Sequence, residues 1–272
     1  MEISRIIDIE SVDKINFSRS NWTAIIPAAG HGTRLGYSRP KILYPIFGKL
    51  ILDWLINSLK TVCSNYVFVL SPHGLKDVER EIKARLGNAY EIAIQDTPTG
   101  MGDAVLLAEE KVTTLNTIVV WGDQVTLRSH TLRVCASIHE ARKNARLTFP
   151  TIIRKEPYIH IERDNMDRII GVGQAREGDI VSICSKGEND CGVFLFTNQM
   201  LFSTLKDAKQ HGIGVGKITQ EFNMLPVLPN FEKNDGSVRT VRITDQSETL
   251  GINTTDDVRL AEIELEKRSL EK

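Results

Sequence analysis

Cysteine is scarce in this 272-residue chain: Cys63, Cys135, Cys184 and Cys191 are scattered, with no C-x-x-C pair. That spacing disfavours a zinc knuckle or a redox motif and leaves the thiols to be read as buried apolar fillers. The histidines show no H-E-x-x-H or paired-ligand spacing, so no catalytic zinc site is read from them. Only His31 and His160 fall near the motifs described below, and a surface or supporting role competes for each. Charge of one sign is also missing. With 34 Lys and Arg against 35 Asp and Glu the net charge is −1, and a nucleic-acid-binding surface would need a basic excess. No apolar run approaches the ~20 residues that span a bilayer. The opening MEISRIIDIESVDK mixes acids among its apolar residues and lacks a signal-peptide core. Neither membrane nor nucleic acid is expected as a partner, and the cytoplasm is the expected compartment.

What is present is a composition of 41% hydrophobic and 25% charged residues, enough for a substantial core. No repeat or low-complexity linker divides the chain, so residues 22–272 read as one domain. Residues 1–21 precede the first core strand as an extension, compatible with packing on the domain, a subunit contact or a loose tail. A homo-oligomer is compatible with the sequence, which does not fix the oligomeric state.

The most informative stretch is Ala24 to Lys41, AIIPAAGHGTRLGYSRPK, where an apolar strand runs into a glycine-rich basic loop. Gly30 and Gly32 let backbone amides approach an anion, and Arg34 and Lys41 add charge suited to a triphosphate. A dinucleotide fingerprint wants G-x-G-x-x-G, but its third glycine position is Leu35. A P-loop wants G-K-[ST], but Gly48-Lys49 and Gly216-Lys217 are followed by Leu50 and Ile218. An ordinary strand-to-helix turn is the third reading, and it explains poorly why Arg34, Pro40 and Lys41 follow in this order.

Strand-like and helix-like runs alternate along the chain, as in an α/β domain with a mostly parallel sheet. Strands are expected at 24–27, 66–71, 91–95 and 117–121, and helices at 50–62, 76–86 and 102–111. Ligands in such folds sit at the carboxyl ends of the strands. The buried strand TIVVW ends in Gly122-Asp123, where a carboxylate is well placed for a divalent cation. A turn aspartate bonded to its own backbone is the competing reading. Farther on, Gly251-Ile252-Asn253 precedes the acidic segment DDVRLAEIELEKR, where Asn253 or Thr254 could equally cap a helix.

The motif AAG-x-G-T-R, here Ala28-Ala29-Gly30-His31-Gly32-Thr33-Arg34, with Pro40-Lys41 after a short spacer, resembles the signature of the nucleotidyltransferases that make nucleotide sugars. The likeness runs from about residue 22 to about 268. In outline it is nearest to the uridylyltransferase domain of the bifunctional N-acetylglucosamine-1-phosphate uridylyltransferases. The resemblance implies a Rossmann-like, mixed and mostly parallel α/β sheet flanked by helices, the nucleotide-diphospho-sugar transferase fold. It implies Mg²⁺ held by Asp123 and Asn253, with Arg34 and Lys41 as the catalytic cations. Ala28, Ala29, Gly30, Gly32, Thr33 and Gly122 would line the nucleotide. Gln95 and Gly100, in QDTPTGMGDA, map onto the family's reader of a pyrimidine edge. Pro98 and Met101 depart from it there and leave uracil against cytosine open.

The acceptor pocket departs further. By resemblance it takes in Ile159, Gln174 and Asp190, where the uridylyltransferase has glycine, glutamate and asparagine. A β-branched residue for glycine narrows a pocket, and exchanging acid for amide inverts donor and acceptor roles. N-acetylglucosamine 1-phosphate is therefore disfavoured as acceptor, and with no hexapeptide repeats no acetyltransferase activity is expected. The expected partners are a nucleoside triphosphate, UTP or CTP, and a phosphorylated small-molecule acceptor, foremost a sugar 1-phosphate. Cytidylyl transfer to a non-sugar phosphate or phosphonate is the alternative. A catalytically silent nucleotide sensor is a third reading, against which stand Arg34, Lys41, Asp123 and Asn253 kept together.

Overall fold

A computed structural model describes residues 4–30, 33–179, 186–232 and 236–270. Its strands are β1 (Ile6–Asp8), β2 (Trp22–Pro27), β3 (Pro45–Ile46), β4 (Lys49–Leu50), β5 (Asn65–Leu70), β6 (Tyr90–Ile94), β7 (Asn116–Val120), β8 (Leu147–Lys155), β9 (Ile159–Arg163), β10 (Ile169–Gln174), β11 (Lys186–Asp190), β12 (Val193–Thr197) and β13 (Val238–Arg242). The helices are α1 (Ile51–Leu59), α2 (Leu75–Leu86), α3 (Met101–Leu106), α4 (Ser129–Glu140), α5 (Asn198–Gln210) and α6 (Thr255–Leu270).

The main sheet runs β1-β13-β8-β12-β7-β2-β5-β6, with β11 paired to β8. β2 is parallel to both β5 and β7, β5 to β6, and β8 to β13 and through it β1. Since β12 is antiparallel to both β7 and β8, those two share a direction, and only β11 and β12 run against it. The carboxyl ends of the parallel strands therefore open on one edge. This is the mixed, mostly parallel α/β sheet that the alternating pattern predicts.

Both faces of the sheet are covered, which is why its strands read as continuous apolar runs. Successive side chains alternate between two cores. Tyr66, Phe68 and Leu70 of β5 face α1, α2, α4 and α6, while Val67 and Val69 face α3, α5 and the turn at Leu225–Phe231. Helix α1 buries Ile51, Leu52, Leu55, Ile56 and Leu59 as one stripe, and Asp53 accepts a bond from Leu50 N at 2.9 Å to close its first turn. The helix expected over 102–111 is shorter than the sequence suggests. After Leu106 the bonding tightens from Leu107 N on Asp103 O to Ala108 N on Val105 O, and a separate turn follows at Glu109–Lys111. That break keeps Ala108 and Val112 buried while Leu107 faces solvent.

The described part of the N-terminal segment lies against the domain. β1 is an edge strand, Asn16 N donates to Ser137 Oγ at 2.9 Å, and Ser18 N donates to Glu140 Oε2 at 3.1 Å. Glu140 Oε1 also accepts from Trp22 Nε1 at 2.6 Å, joining segment, β2 and α4. The residue before it, His139, is buried between Thr148 Oγ1 (3.0 Å) and Thr197 Oγ1 (3.1 Å), edge-on to Trp22. Burial lowers its pKa to about 3.

Because the unfolded chain binds this proton near pH 6.5 and the folded chain does so only near 3, His139 contributes stability above pH 6.5 that is lost as pH falls toward 3. Between pH 7 and pH 4 the wild type should lose about 3 kcal/mol more unfolding free energy than His139→Gln. Parallel denaturant melts of the two proteins at both pH values check this, and equal pH slopes would refute it.

Candidate active site

The glycine-rich loop leaves β2 pinned to its neighbour: Ala28 N donates to Val69 O at 2.8 Å. Ala28, Ala29 and Gly30 follow, while His31 and Gly32 lie outside the described residues. The chain re-enters as a single turn, Thr33–Leu35, anchored by buried Leu35 and presenting Arg34 outward. Lys41 opens the next turn, Lys41–Leu43, whose Ile42 and Leu43 are buried. Those two anchors fix the backbone from which the Lys41 side chain projects. The end of β7 meets this loop closely. A Cβ on Gly122 would stand 2.6 Å from Pro27 O and 3.1 Å from Ala28 Cβ, so only glycine lets Asp123 come so near.

Four residues from three remote segments converge there. Lys41 Nζ lies 2.7 Å from Asp123 Oδ2 and 3.2 Å from Asn253 Oδ1, and Arg34 Nη2 donates to the same Asn253 Oδ1 at 3.2 Å. The backbone reinforces the approach, with Ile252 N donating to Asp123 O at 3.1 Å. Capping and contact with the cations are divided between neighbours before α6. Thr254 and Asp257 form the cap, Asp257 N donating to Thr254 Oγ1 at 3.2 Å and Thr254 N to Asp257 Oδ2 at 2.7 Å. That leaves the Asn253 amide oxygen turned toward the two cations.

Among the described residues no group of three or more His, Cys, Asp or Glu could hold a metal ion. One carboxylate and one amide oxygen, both already directed at an ammonium, nevertheless suit Mg²⁺. It takes hard oxygen ligands and draws much of its shell from water and substrate phosphates. The donor set fits that ion and does not suit a softer metal.

The segment expected to read a base is locked at both ends. Gln95 N donates to Leu70 O at 2.8 Å, and Gln95 Nε2 donates to Gly100 O at 3.2 Å. Gly100 has φ +117, and a Cβ there would meet Phe222 O at 2.4 Å. Phe222 N donates to Thr99 O at 2.9 Å and Gly102 N to Phe222 O at 2.8 Å, so residue 222 clamps this loop. Sequence reading missed Phe222, which carries no signal beyond its hydrophobicity.

Of the three residues expected at the acceptor, two are paired directly and the third is joined to them through its neighbour Asn189. Ile159 and Gln174 are direct partners in the β9–β10 hairpin, with His160 next along β9 opposite Gly173. Asn189 Oδ1 accepts from Ile159 N at 3.1 Å, tying that hairpin to the end of β11. Asp190 follows, 4% exposed, with Oδ1 accepting from Gly192 N at 2.6 Å and Oδ2 lacking a hydrogen-bond partner. Burial raises its pKa to about 6, the Gly192 bond opposing the rise. Gly192 O in turn accepts from Trp121 N at 2.9 Å, linking this cluster to the turn after β7 that carries Asp123. Asn189 and buried Glu177 were also missed. Glu177 accepts from Ile218 N at 2.9 Å and Thr219 Oγ1 at 2.7 Å, strapping the chain after β10 to the segment that carries Phe222. Three of the four cysteines, Cys63, Cys135 and Cys191, are free and buried, and Cys184 lies outside the described residues. A groove of about 680 Å³ lined by Phe17, Arg19, Lys60 and Arg133 shares no residue with this cluster, so the site is marked by converging side chains and not by groove size.

A parallel-strand edge that gathers a glycine loop, two cations, a carboxylate and an amide oxygen defines an α/β protein built to handle nucleotide phosphates. Residues 24–212 match the MobA-like NTP transferase domain, and the chain belongs to that family of nucleotidyltransferases. It is similar to the bifunctional protein GlmU of Lactobacillus delbrueckii subsp. bulgaricus, 29% identical over 88% of this chain and 50% of that protein. GlmU of Exiguobacterium sibiricum is 30% identical over 92% of this chain and 54% of its own length. The chain thus spans about half the length of the curated relatives it matches. Its fold is shared with a putative glucose-1-phosphate thymidylyltransferase from Bacillus anthracis crystallised with sucrose, at TM-score 0.68 and 17% identity over 89% of this chain and 94% of that one.

The clamp on the 95–102 loop gives a direct test. Gly100→Ala forces a side chain into a positive-φ position against the Phe222 backbone, and should cost about 2 kcal/mol or more of stability. It should also weaken triphosphate binding beyond what the stability loss explains. Thermal unfolding and calorimetric titration with UTP and CTP measure the two effects, and unchanged values for both would show that the loop tolerates the residue.

Proposed function

We propose that this chain transfers a pyrimidine nucleoside monophosphate from UTP or CTP to a phosphorylated small-molecule acceptor, foremost a sugar 1-phosphate, and releases pyrophosphate. The observation that carries the reading is the hydrogen-bonded meeting of Arg34, Lys41, Asp123 and Asn253 beside the glycine-rich loop. A silent binding domain has no need to keep these four together. A phosphate oxygen of the acceptor attacks the α-phosphorus in line, the bond to the bridging oxygen breaks, and pyrophosphate leaves. The attacking oxygen is anionic near neutral pH, so no general base is needed, and the work is positioning and charge neutralisation.

Lys41 would hold the α-phosphate, while Arg34 and the loop backbone from Gly30 to Thr33 hold the departing pyrophosphate. Asp123 and Asn253 are the proposed ligands of Mg²⁺, which when bound would neutralise phosphate charge. Gln95 and Gly100 would meet the base, and Ile159, Gln174 and Asp190 the acceptor. Soluble substrates of this kind suit the cytoplasm.

Cytidylyl transfer to a non-sugar phosphate or phosphonate is the second reading, and Asp190 favours it. An ionised carboxylate offers acceptors only, so a ligand acceptor that the amide of the uridylyltransferases' asparagine would pair is left unpaired here. A mismatched pocket of this kind can reject a substrate by ~10⁴-fold.

Pyrophosphate release with Mg²⁺ and each of UTP, CTP, dTTP, ATP and GTP, against sugar 1-phosphates, polyol phosphates, phosphocholine and phosphonates, tests both readings. Turnover with UTP and a sugar phosphate supports the first, turnover with CTP and a non-sugar acceptor the second. No release with any pair would overturn both. With the productive pair, Lys41→Ala should lower turnover by about 10² to 10³, about 3 to 4 kcal/mol. A folded Lys41→Ala protein with normal turnover would remove Lys41 from the mechanism.

A further inference from the structure

The two oxygens proposed to hold Mg²⁺ are committed to cations of the protein itself. Asp123 Oδ2 carries the Lys41 ammonium at 2.7 Å, with both side chains more than four-fifths buried, at 16% and 19% exposure. Asn253 Oδ1 accepts from Lys41 Nζ and Arg34 Nη2, each at 3.2 Å. An amide oxygen has two lone pairs, and here both are taken. A metal ion can bind Asn253 only if one of these donors leaves, and at Asp123 it meets the same Lys41 ammonium.

We propose that Lys41 and Arg34 gate the metal site: in the free protein their charges occupy the metal's two ligands, and the incoming triphosphate draws them off and opens the site. The inference rests on the metal assignment proposed above. It gives Lys41 two opposed effects, since the ammonium that would hold phosphate in the complex competes with the metal before the complex forms. Repulsion among three cations supports the same order of events. A divalent ion added to a cluster holding two cations and one carboxylate leaves net positive charge in a partly buried site, whereas a triphosphate reverses that sign. Metal and nucleotide then assist each other's binding, because each removes an obstacle to the other.

The backbone gives the gate a fixed frame. Asn253 N donates to Asp257 Oδ2 at 2.9 Å and Ile252 N to Asp123 O at 3.1 Å, so the two ligands keep their spacing while the cations move. Lys41 and Arg34 are long side chains on short turns, and Arg34 is exposed. Their heads can swing without disturbing the buried anchors Leu35, Ile42 and Leu43.

The test uses Mn²⁺ alone, without nucleotide, counted by electron paramagnetic resonance of the free ion against the full chain. Lys41→Met keeps the length of the side chain and removes the charge, and should bind Mn²⁺ about tenfold more tightly than the wild type while losing turnover. Arg34→Met, which frees one lone pair of the same amide oxygen, should shift affinity in the same direction by less. Adding Asp123→Asn to Lys41→Met should abolish the gain. Circular dichroism spectra matching the wild type establish that the variants are folded. Mn²⁺ binding no tighter in both single variants than in the wild type, including binding undetectable in all three, overturns the gate. If Asp123→Asn weakens Mn²⁺ binding in that case, the metal assignment survives without the gate. If Mn²⁺ binds Lys41→Met equally well with and without Asp123→Asn, the metal assignment fails and the gate with it.

Discussion

A lysine ammonium pressed against an aspartate carboxylate, both largely withdrawn from water, is the contact around which this molecule is arranged. Removing two charges from water costs several kcal/mol per ion unless geometry and further hydrogen bonds offset it. Lys41 and Asp123 meet that condition because Asn253 supplies a third polar partner. Each comes from a different carboxyl-end loop of the sheet: Lys41 beyond β2, Asp123 directly after β7, Asn253 beyond β13. A sheet with these strands in alternating directions would scatter the three over opposite edges. Parallel strand direction is therefore a requirement of the site, and the helices covering both faces are what parallel strands of this kind need in turn.

The local half of this design was legible in the letters. The loop after β2, the Gly-Asp after β7 and the Asn before α6 each sit where strand or helix punctuation predicts, and each motif combines few residue types with fixed spacing. The same letters left open whether Asn253 caps α6 or faces the cations, and geometry divides the roles by giving the cap to Thr254. What could not be read was everything that depends on a partner far along the chain. Glu140 reads as one more acid on a helix, yet it joins the N-terminal segment to Trp22. Phe222 reads as a core residue, yet its backbone clamps the loop of Gln95 and Gly100. The break after Leu106 was missed for a related reason. Both versions of that segment satisfy helix periodicity, and only the route into β7 distinguishes them.

Some buried polar groups are fully answered by partners within the protein and others are not. His139 of α4 is neutral and fully matched by threonine hydroxyls of β8 and β12, edge-on to Trp22 of β2. Glu177 is buried but accepts from two backbone amides and a hydroxyl. Such groups specify packing at little net cost, because each charge or lone pair is answered. Asp190 is different, since one of its oxygens is answered and the other is not. A carboxylate kept in that condition is destabilising to the free protein, and its pKa raised to about 6 is the same fact expressed in protons. Strain of this kind concentrates where a ligand would relieve it.

Position makes the Asp190 imbalance more than a local oddity. β11 and β12 are the two strands that run against the sheet, and the tight link between them carries Asp190 to Gly192. By reversing direction they return to the carboxyl edge beside the end of β7, where Gly192 O meets Trp121 N. Asp190 is thereby connected to Asp123 through its Oδ1 bond from Gly192 N, the bond from Trp121 N to Gly192 O and the Gly-Asp turn that follows. The two strands that run against the parallel sheet are what bring Asp190 and Asp123 to linked turns on one edge.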